Sequence, residues 1–188
     1  MSKSDYKKSE LSKLIKLAQN NDVKALEEIL RRVQAQIYSM FAHLTNKKED
    51  VLDLTQETLL KLAKSITKLK DINNFKKWLN QIMINTYNDF LRKNPNKYVE
   101  FDEKIFEEIK DKMGCEPGER CLFTEIEKLI KNALLTLPKD LRITLVLREY
   151  EGLSYEDISK LTNTAIGTVK SRISRARNKL QQELKEYI

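Results

Sequence analysis

An all-α fold, two small helical domains joined by a flexible acidic linker, is what this sequence predicts, on three observations. Four glycines and three prolines in 188 residues are too few to punctuate a sheet protein, while strong helix formers are plentiful. Apolar residues recur at the three-and-four spacing of amphipathic helices along most of the chain. Charge is segregated: residues 1–99 hold 19 basic and 11 acidic groups, 100–119 hold 3 and 8, and 120–188 hold 13 and 9. The formal charge of +7 suits a polyanionic partner without separating nucleic acid from an anionic membrane. Two basic blocks around an acidic strip are more specific, and point to two nucleic-acid-facing domains joined by a segment that avoids DNA.

The first domain is expected over residues 7–95. Leu11, Leu14, Ile15 and Ala18 mark one short helix. Asn20-Asn-Asp22 is a helix-start signal, and Val23, Leu26, Ile29, Leu30, Val33, Ile37, Phe41 and Leu44 follow at helical spacing. After the turn Asn46-Lys-Lys-Glu-Asp50, a helix from Asp50 to Leu69 should face Leu52, Leu59, Leu62, Ala63 and Ile66 inward. Lys70-Asp-Ile-Asn-Asn74 is a short polar loop. A helix from Phe75 to Arg92 should bury Phe75, Trp78, Leu79, Ile82, Thr86 and Phe90 before Asn94-Pro-Asn96 stops it. Four helices with short loops make a compact bundle.

The linker is expected over 96–120, with at most one weak helix, Phe101 to Met113, ahead of Gly114, Pro117 and Gly118. The second domain, 121–188, should hold helices at Leu122–Thr136, Pro138–Tyr150, Ser154–Leu161 and Thr164–Glu186. Gly152 is suited to end the second of these, and Ser154 with Asp157 three residues on caps the third.

The last two helices form a helix-turn-helix, whose second helix enters the major groove of DNA. From Asn163 to Leu180 there are five basic residues (Lys170, Arg172, Arg175, Arg177, Lys179) and no acidic one. At 100° per residue, Ile166, Val169, Ile173, Ala176, Leu180 and Leu184 line the side to be buried. Opposite lie Thr164, Gly167, Ser171, Ser174, Arg175 and Asn178, flanked by Thr168 and Lys170. Small residues at 167, 171 and 174 let the helix sit deep, so that Lys170 and Arg175 reach guanine edges or phosphates, and Arg172 phosphates.

Two further stripes stand out in the first domain. Lys77, Gln81, Asn85, Asn88 and Arg92 share one helix face; amides between basic ends suit DNA, and suit a solvated face equally well. On the Asp50–Leu69 helix, Asp53, Gln56, Glu57, Leu60 and Lys64 share another. Carboxylates contact DNA poorly, and Leu60 among them suggests a protein-docking patch.

Cys115 and Cys121 read as two reduced thiols, since a zinc site needs four ligands and the single histidine, His43, is remote. No metal, cofactor or catalytic residue is expected: the chain has no Gly-rich phosphate loop, no His-Glu-x-x-His and no Gly-x-Ser-x-Gly. Met1 to Lys8 lacks the apolar stretch of a signal peptide and no run approaches membrane-spanning length, so a cytoplasmic protein with no membrane insertion is expected.

These pieces together resemble one family. Leu137-Pro138, Arg142, Glu151-Gly-Leu-Ser-Tyr-Glu-Asp-Ile158 and Gly167-Thr-Val-Lys-Ser-Arg-Ile-Ser-Arg-Ala-Arg177 look like region 4 of bacterial sigma-70-type factors. Asp53-Leu-Thr-Gln-Glu57, Leu59-Leu-Lys-Leu62, Phe75-Lys-Lys-Trp-Leu79, Ile82, Asn85, Asp89 and Leu91-Arg92 resemble region 2. A short chain with only these regions is similar to the extracytoplasmic-function (group 4) subfamily.

The resemblance implies an RNA polymerase initiation subunit. Its implied partners are core RNA polymerase (β′ clamp helices and β flap), promoter DNA and an anti-sigma factor. By resemblance Asp53, Gln56 and Glu57 bind the clamp helices, and Leu60 joins them on the shared-face argument. Region 2 opens the −10 element: the loop Lys70–Asn74, with Lys70, Asn73 and Asn74, holds a flipped-out base, while Asn85 and its helix neighbours Lys77, Gln81, Asn88 and Arg92 contact adjoining DNA. Region 4 reads the −35 element through Gly167, Lys170, Ser171, Ser174 and Arg175, with Thr164, Thr168 and Arg172 beside them. The acidic linker resembles the segment threaded toward the polymerase active-site cleft.

Two positions depart from the family pattern. Thr164-Ala165 replaces a common apolar-Pro pair, which alters how the helix enters the groove. Ser174 is small where some members carry an aromatic, so the preferred DNA sequence does not transfer. The competing reading, an autonomous regulator whose first bundle senses or dimerises, calls for a ligand pocket or heptad seam that the sequence lacks.

Overall fold

The structure, a computed structural model, describes residues 3–94 and 119–185, with side chains described for 5–94 and 128–185. The expected linker and its weak helix therefore lie outside the described residues, except that Glu119 and Arg120 open a helix; Cys115 and the side chain of Cys121 lie outside them too. Among the described residues there is no strand. The residues up to Ala42 and Lys47–Lys93 form one compact unit, and His43–Asn46 with the helices from Glu119 on form another.

In the first unit, α1 (Lys3–Lys8) precedes the first periodic stretch and was not anticipated; α2 (Leu11–Gln19) and α3 (Val23–Leu44) follow. Asn21 takes the left-handed conformation (φ 64°) that turns the chain between α2 and α3. Asp22 starts α3: one carboxylate oxygen accepts the Ala25 N–H at 3.0 Å, and the other accepts the Tyr6 hydroxyl at 2.8 Å. Those bonds, the Ala25 N–H first, hold the Asp22 carboxyl below its usual range.

Buried Glu28 organises the same corner. It accepts from Arg31 Nε at 2.8 Å and Arg31 Nη2 at 2.7 Å, and from Arg32 Nε at 2.8 Å. Arg32 Nη2 then donates to the Tyr6 and Lys7 carbonyls at 3.0 and 2.8 Å, satisfying the orphan carbonyls at the end of α1.

α4 (Lys48–Ser65) runs into a 3-10 turn, Ile66–Lys68, and a second 3-10 turn, Ile72–Asn74, leads into α5 (Phe75–Lys93). Glu49 and Asp50 in its first turn suit the positive end of the α4 dipole. The buried face of α4 is Val51, Leu54, Thr55, Thr58, Leu62 and Ile66, not the leucine-led stripe read from the sequence: Leu52 is 46% exposed, and Leu59 and Ala63 are half-buried. Thr55 takes a core position because its hydroxyl is satisfied locally, Oγ1 donating to the Val51 carbonyl at 2.6 Å, whereas the buried Thr58 Oγ1 has no partner among the described residues. In α5 the core takes Phe75, Leu79, Met83, Ile84, Tyr87 and Leu91, while Trp78, Ile82 and Phe90 are only half-buried. Lys61 ties α4 to α5, its ammonium lying 2.9 Å from Glu57 and 3.2 Å from Asp89. Burial opposes that charge, but the two carboxylates outweigh it and the Lys61 pKa is raised.

The second unit comprises α6 (Glu119–Thr136), α7 (Lys139–Glu149), α8 (Tyr155–Thr162) and α9 (Ile166–Leu184). α7 is its central element, burying Leu141, Ile143, Leu145, Val146 and Leu147. Gly152 (φ +66°) makes the left-handed turn after it. Arg148 braces that turn, donating to the Leu153 carbonyl at 2.7 Å with its guanidinium 4.8 Å from the Tyr155 ring centre.

Acid titration checks the Glu28 corner. The two arginines, Arg31 first, lower its carboxyl from 4.5 to about 2. A depressed carboxylate stabilises fully above its unfolded value, so this contribution is intact above pH 4.5 and is lost as pH falls toward 2. Glu28→Gln should lower Tm at pH 7 and flatten the acid limb of Tm against pH; an unchanged limb contradicts the assignment.

Candidate functional site

The recognition surface is built from the turn outward. Ser154 Oγ accepts the Asp157 N–H at 3.1 Å and so starts α8. Asn163 ends it in the left-handed conformation (φ 50°), and the Thr164 N–H returns to the Ser159 carbonyl at 3.1 Å. Ser159 Oγ donates to the Thr164 carbonyl at 2.5 Å, and the Thr162 and Thr164 hydroxyls lie 2.7 Å apart. Three residues, Asn163–Ala165, thus join α8 to α9 in a hydrogen-bonded turn.

α9 docks through Val169, Ile173 and Ala176, all buried, with Leu180 and Leu184 half-buried. Ile166, expected in that stripe, is 39% exposed, because at the first helical position it lies beyond the edge of the core. On the outward face Gly167, Lys170, Ser171, Ser174 and Arg175 are exposed, while Thr164, Thr168 and Arg172 are half-buried.

The cations divide into two groups. Arg172 pairs with Asp140 at 2.6 Å and Arg177 with Glu149 at 2.6 Å, which ties α9 to α7. Among the described residues none of Lys170, Arg175 and Lys179 has a carboxylate partner; Arg175 Nε donates only to the Ser171 carbonyl, at 3.3 Å. Gly167 is in an ordinary helical conformation, and a Cβ added there would meet nothing within 4 Å. Among the described residues nothing requires glycine at that exposed position.

The polar loop of the first unit is held in shape. Asp71 accepts the Asn73 N–H at 3.0 Å and the Asn74 Nδ2 at 2.7 Å, while Lys70 and Asn73 leave their side chains exposed. Along α5, Lys77, Asn85 and Arg92 are exposed, and Gln81 and Asn88 are half-buried. Gln81 Nε2 donates to Asn85 Oδ1 at 2.9 Å, and Arg92 pairs with Asp89. The Arg92 hydrogen bond leads in holding Asp89 below its usual range. Trp78, read as core, sits half-buried beside Lys77 and Gln81, with its ring centre 6.0 Å from that of Phe75.

The α4 stripe is open, with Asp53 and Gln56 exposed, Leu60 59% exposed, and Glu57 half-buried against Lys61. Sequence reasoning missed Leu52, which stands in register with Gln56 and Leu60 at four-residue spacing; Thr55 and Thr58 on the opposite side were the available signal. Among the described residues no group of three or more His, Cys, Asp or Glu is placed to hold a metal ion, and no helix is long and apolar enough to cross a membrane.

Comparisons with known proteins agree with this arrangement. The family described as Sigma-70 region 2 matches residues 29–96, and Sigma-70, region 4 matches 127–180. The RNA polymerase sigma-H factor of Pseudomonas aeruginosa is 32% identical over 93% of this chain and 94% of its own. The chain belongs to the ECF sigma factors of RNA polymerase.

Other relatives of this sigma factor include the ECF RNA polymerase sigma-E factors of Escherichia coli (30% identical, 93% of this chain, 94% of that one) and Haemophilus influenzae (29%, 91% and 93%). Among solved structures, the sigma factor RpoE in complex with the anti-sigma factor NepR from Bartonella quintana has a TM-score of 0.66 at 30% identity, covering 86% of this chain and 98% of that one. CnrH, solved with the cytosolic domain of CnrY, has a TM-score of 0.63 at 20% identity over 93% and 97%, a likeness of fold.

Gly167→Ala should raise the thermal stability of this sigma factor, because helical alanine is favoured over glycine by up to about 1 kcal/mol and the new methyl meets no neighbour. A lowered Tm would show a packing role that the structure does not contain.

Proposed function

We propose that the outward face of α9 reads the −35 promoter element. The carrying observation is Gly167, exposed with open space around it, between the turn and two cations that lack carboxylate partners among the described residues. A bare backbone at that point lets the helix approach the groove, Lys170 and Arg175 reach base edges or phosphates, and Thr164, Thr168, Ser171 and Ser174 offer short polar contacts. Arg172 reaches phosphate from its Asp140 pair, a geometry that keeps the guanidinium fixed.

The first unit carries the other two assignments. Lys70, Asn73 and Asn74, on a loop shaped by Asp71, take a flipped-out base of the −10 element, and Lys77, Gln81, Asn85, Asn88 and Arg92 track the adjoining strand. Asp53, Gln56, Glu57 and Leu60, with Leu52 beside them, dock on the β′ clamp helices of core polymerase, and the second unit meets the β flap. The protein works in the cytoplasm as a regulatory subunit and not as an enzyme. An anti-sigma factor holds it inactive, a reading supported by the complex of RpoE with the anti-sigma factor NepR. Co-purification with such an inhibitor would support that reading; a free, constitutively active protein would contradict it.

Holoenzyme assembled from the purified protein and core polymerase tests the division of labour. Arg175→Ala should cut −35-dependent initiation by about tenfold or more while leaving core affinity within about twofold. Glu57→Ala should do the reverse, weakening core binding first. Equal effects of both variants on core affinity, or no defined start from any genomic promoter, would overturn the assignment.

A further inference from the structure

Gln19, at the end of α2, belongs to none of the surfaces described above, yet it makes two contacts to the backbone that leads into the Lys70–Asn74 loop. Its side-chain Nε2 donates to the Ile66 carbonyl at 3.1 Å and to the Leu69 carbonyl at 2.8 Å, 47 and 50 residues away in sequence. Those carbonyls bracket the 3-10 turn at the end of α4, where the chain leaves the helix and passes through buried Leu69 into Lys70. Both protons of one amide nitrogen are thereby spent on the backbone that launches the loop. Two residues beyond Leu69, Asp71 fixes the loop interior through Asn73 and Asn74. The loop is therefore gripped at its entrance by α2 and within itself by Asp71, and Lys70 and Asn73 keep exposed side chains, as does Asn74 beyond its one bond to Asp71.

We infer that Gln19 is a positioning residue for promoter opening: it sets the entrance geometry of the Lys70–Asn74 loop, so that the loop is preformed when a base leaves the duplex. The inference rests on the reading of that loop as a base-holding element. Preforming it in the free protein moves the ordering cost away from the moment of strand separation. Ile66 and Leu69 are buried, and the Ile66 carbonyl also accepts the Leu69 N–H at 3.2 Å, so a missing donor is felt most at the Leu69 carbonyl.

The test uses full-length protein in holoenzyme on a promoter mapped for it. Three quantities are followed: core affinity, closed-complex affinity, and the rate at which −10 thymines become reactive to permanganate. Gln19→Glu keeps the shape but sets a carboxylate against two carbonyl oxygens. It should slow opening by about tenfold while core and closed-complex affinities stay within about twofold. Gln19→Leu, which removes the donor without adding charge, should also slow opening and stands in should the Glu variant fold poorly. Gln19→Lys, which restores a donor of similar reach, should recover opening to within about threefold.

An unchanged opening rate in Gln19→Glu and Gln19→Leu, a fall in core affinity parallel to the fall in opening, or no recovery with Gln19→Lys would each overturn the proposal. Asn73→Ala separates it from the reading beneath it. If Asn73→Ala slows opening and the Gln19 variants do not, only the positioning role fails. If Asn73→Ala also leaves opening untouched, the base-holding role of the loop fails with it.

Discussion

Burial of Val169, Ile173 and Ala176 is the constraint on which the second unit depends. Three residues at spacings of four and three define one side of α9 and commit it to α7, the central apolar helix. A helix docked that way has no freedom to choose its outward face: Gly167, Lys170, Ser171, Ser174 and Arg175 must then meet solvent or a partner. The ion pairs Arg172–Asp140 and Arg177–Glu149 fix the rotation of the helix more than they add stability, since exposed pairs contribute little. The hydrogen-bonded turn at Asn163–Ala165 leads directly into the first turn of α9, where Gly167 is exposed with open space around it.

The first unit follows the same logic with a more polar apparatus. Glu28 and its two arginines seat α1, Lys61 ties α4 to α5, Gln19 grips the loop entrance and Asp71 shapes its interior. Each of these turns a flexible polar side chain into a fixed strut, and the last three lie beside the surfaces left available: the Leu52–Leu60 side of α4, the exposed tips of Lys70 and Asn73, the amide row of α5. A sigma factor must present several surfaces to one polymerase–DNA assembly at once, and preorganised surfaces lower what must be ordered on binding.

The all-helical class and the recognition helix were legible in the sequence because periodicity reports burial directly where the core is aliphatic, as at Val169, Ile173 and Ala176. It failed where that assumption failed. Thr55 and Thr58 hold core positions in α4, so a reading that ranks residues by hydrophobicity turned Leu52 inward when it faces out. Trp78 and Phe90 have the spacing of core residues yet are half-buried, because large aromatics cover an edge as readily as they fill a centre. Ile166 had the right period and the wrong address, one turn beyond the core. The helix α1 gave no periodic signal, because Tyr6 and a set of long-range hydrogen bonds hold it in place of an apolar stripe. Gln19 was invisible for the same reason: its partners lie 47 and 50 residues away.

The most direct measurement of the central claim, that docking of α9 forces its small and basic face onto DNA, is site-specific photocross-linking in holoenzyme bound to a mapped promoter. A photoactivatable side chain at Ser171 should join to the upstream promoter element in high yield, and the same group at Gln182, near the far end of α9, should join there weakly or not at all. Equal yields from both positions, or a cross-link from Ser171 to protein alone, would contradict the account.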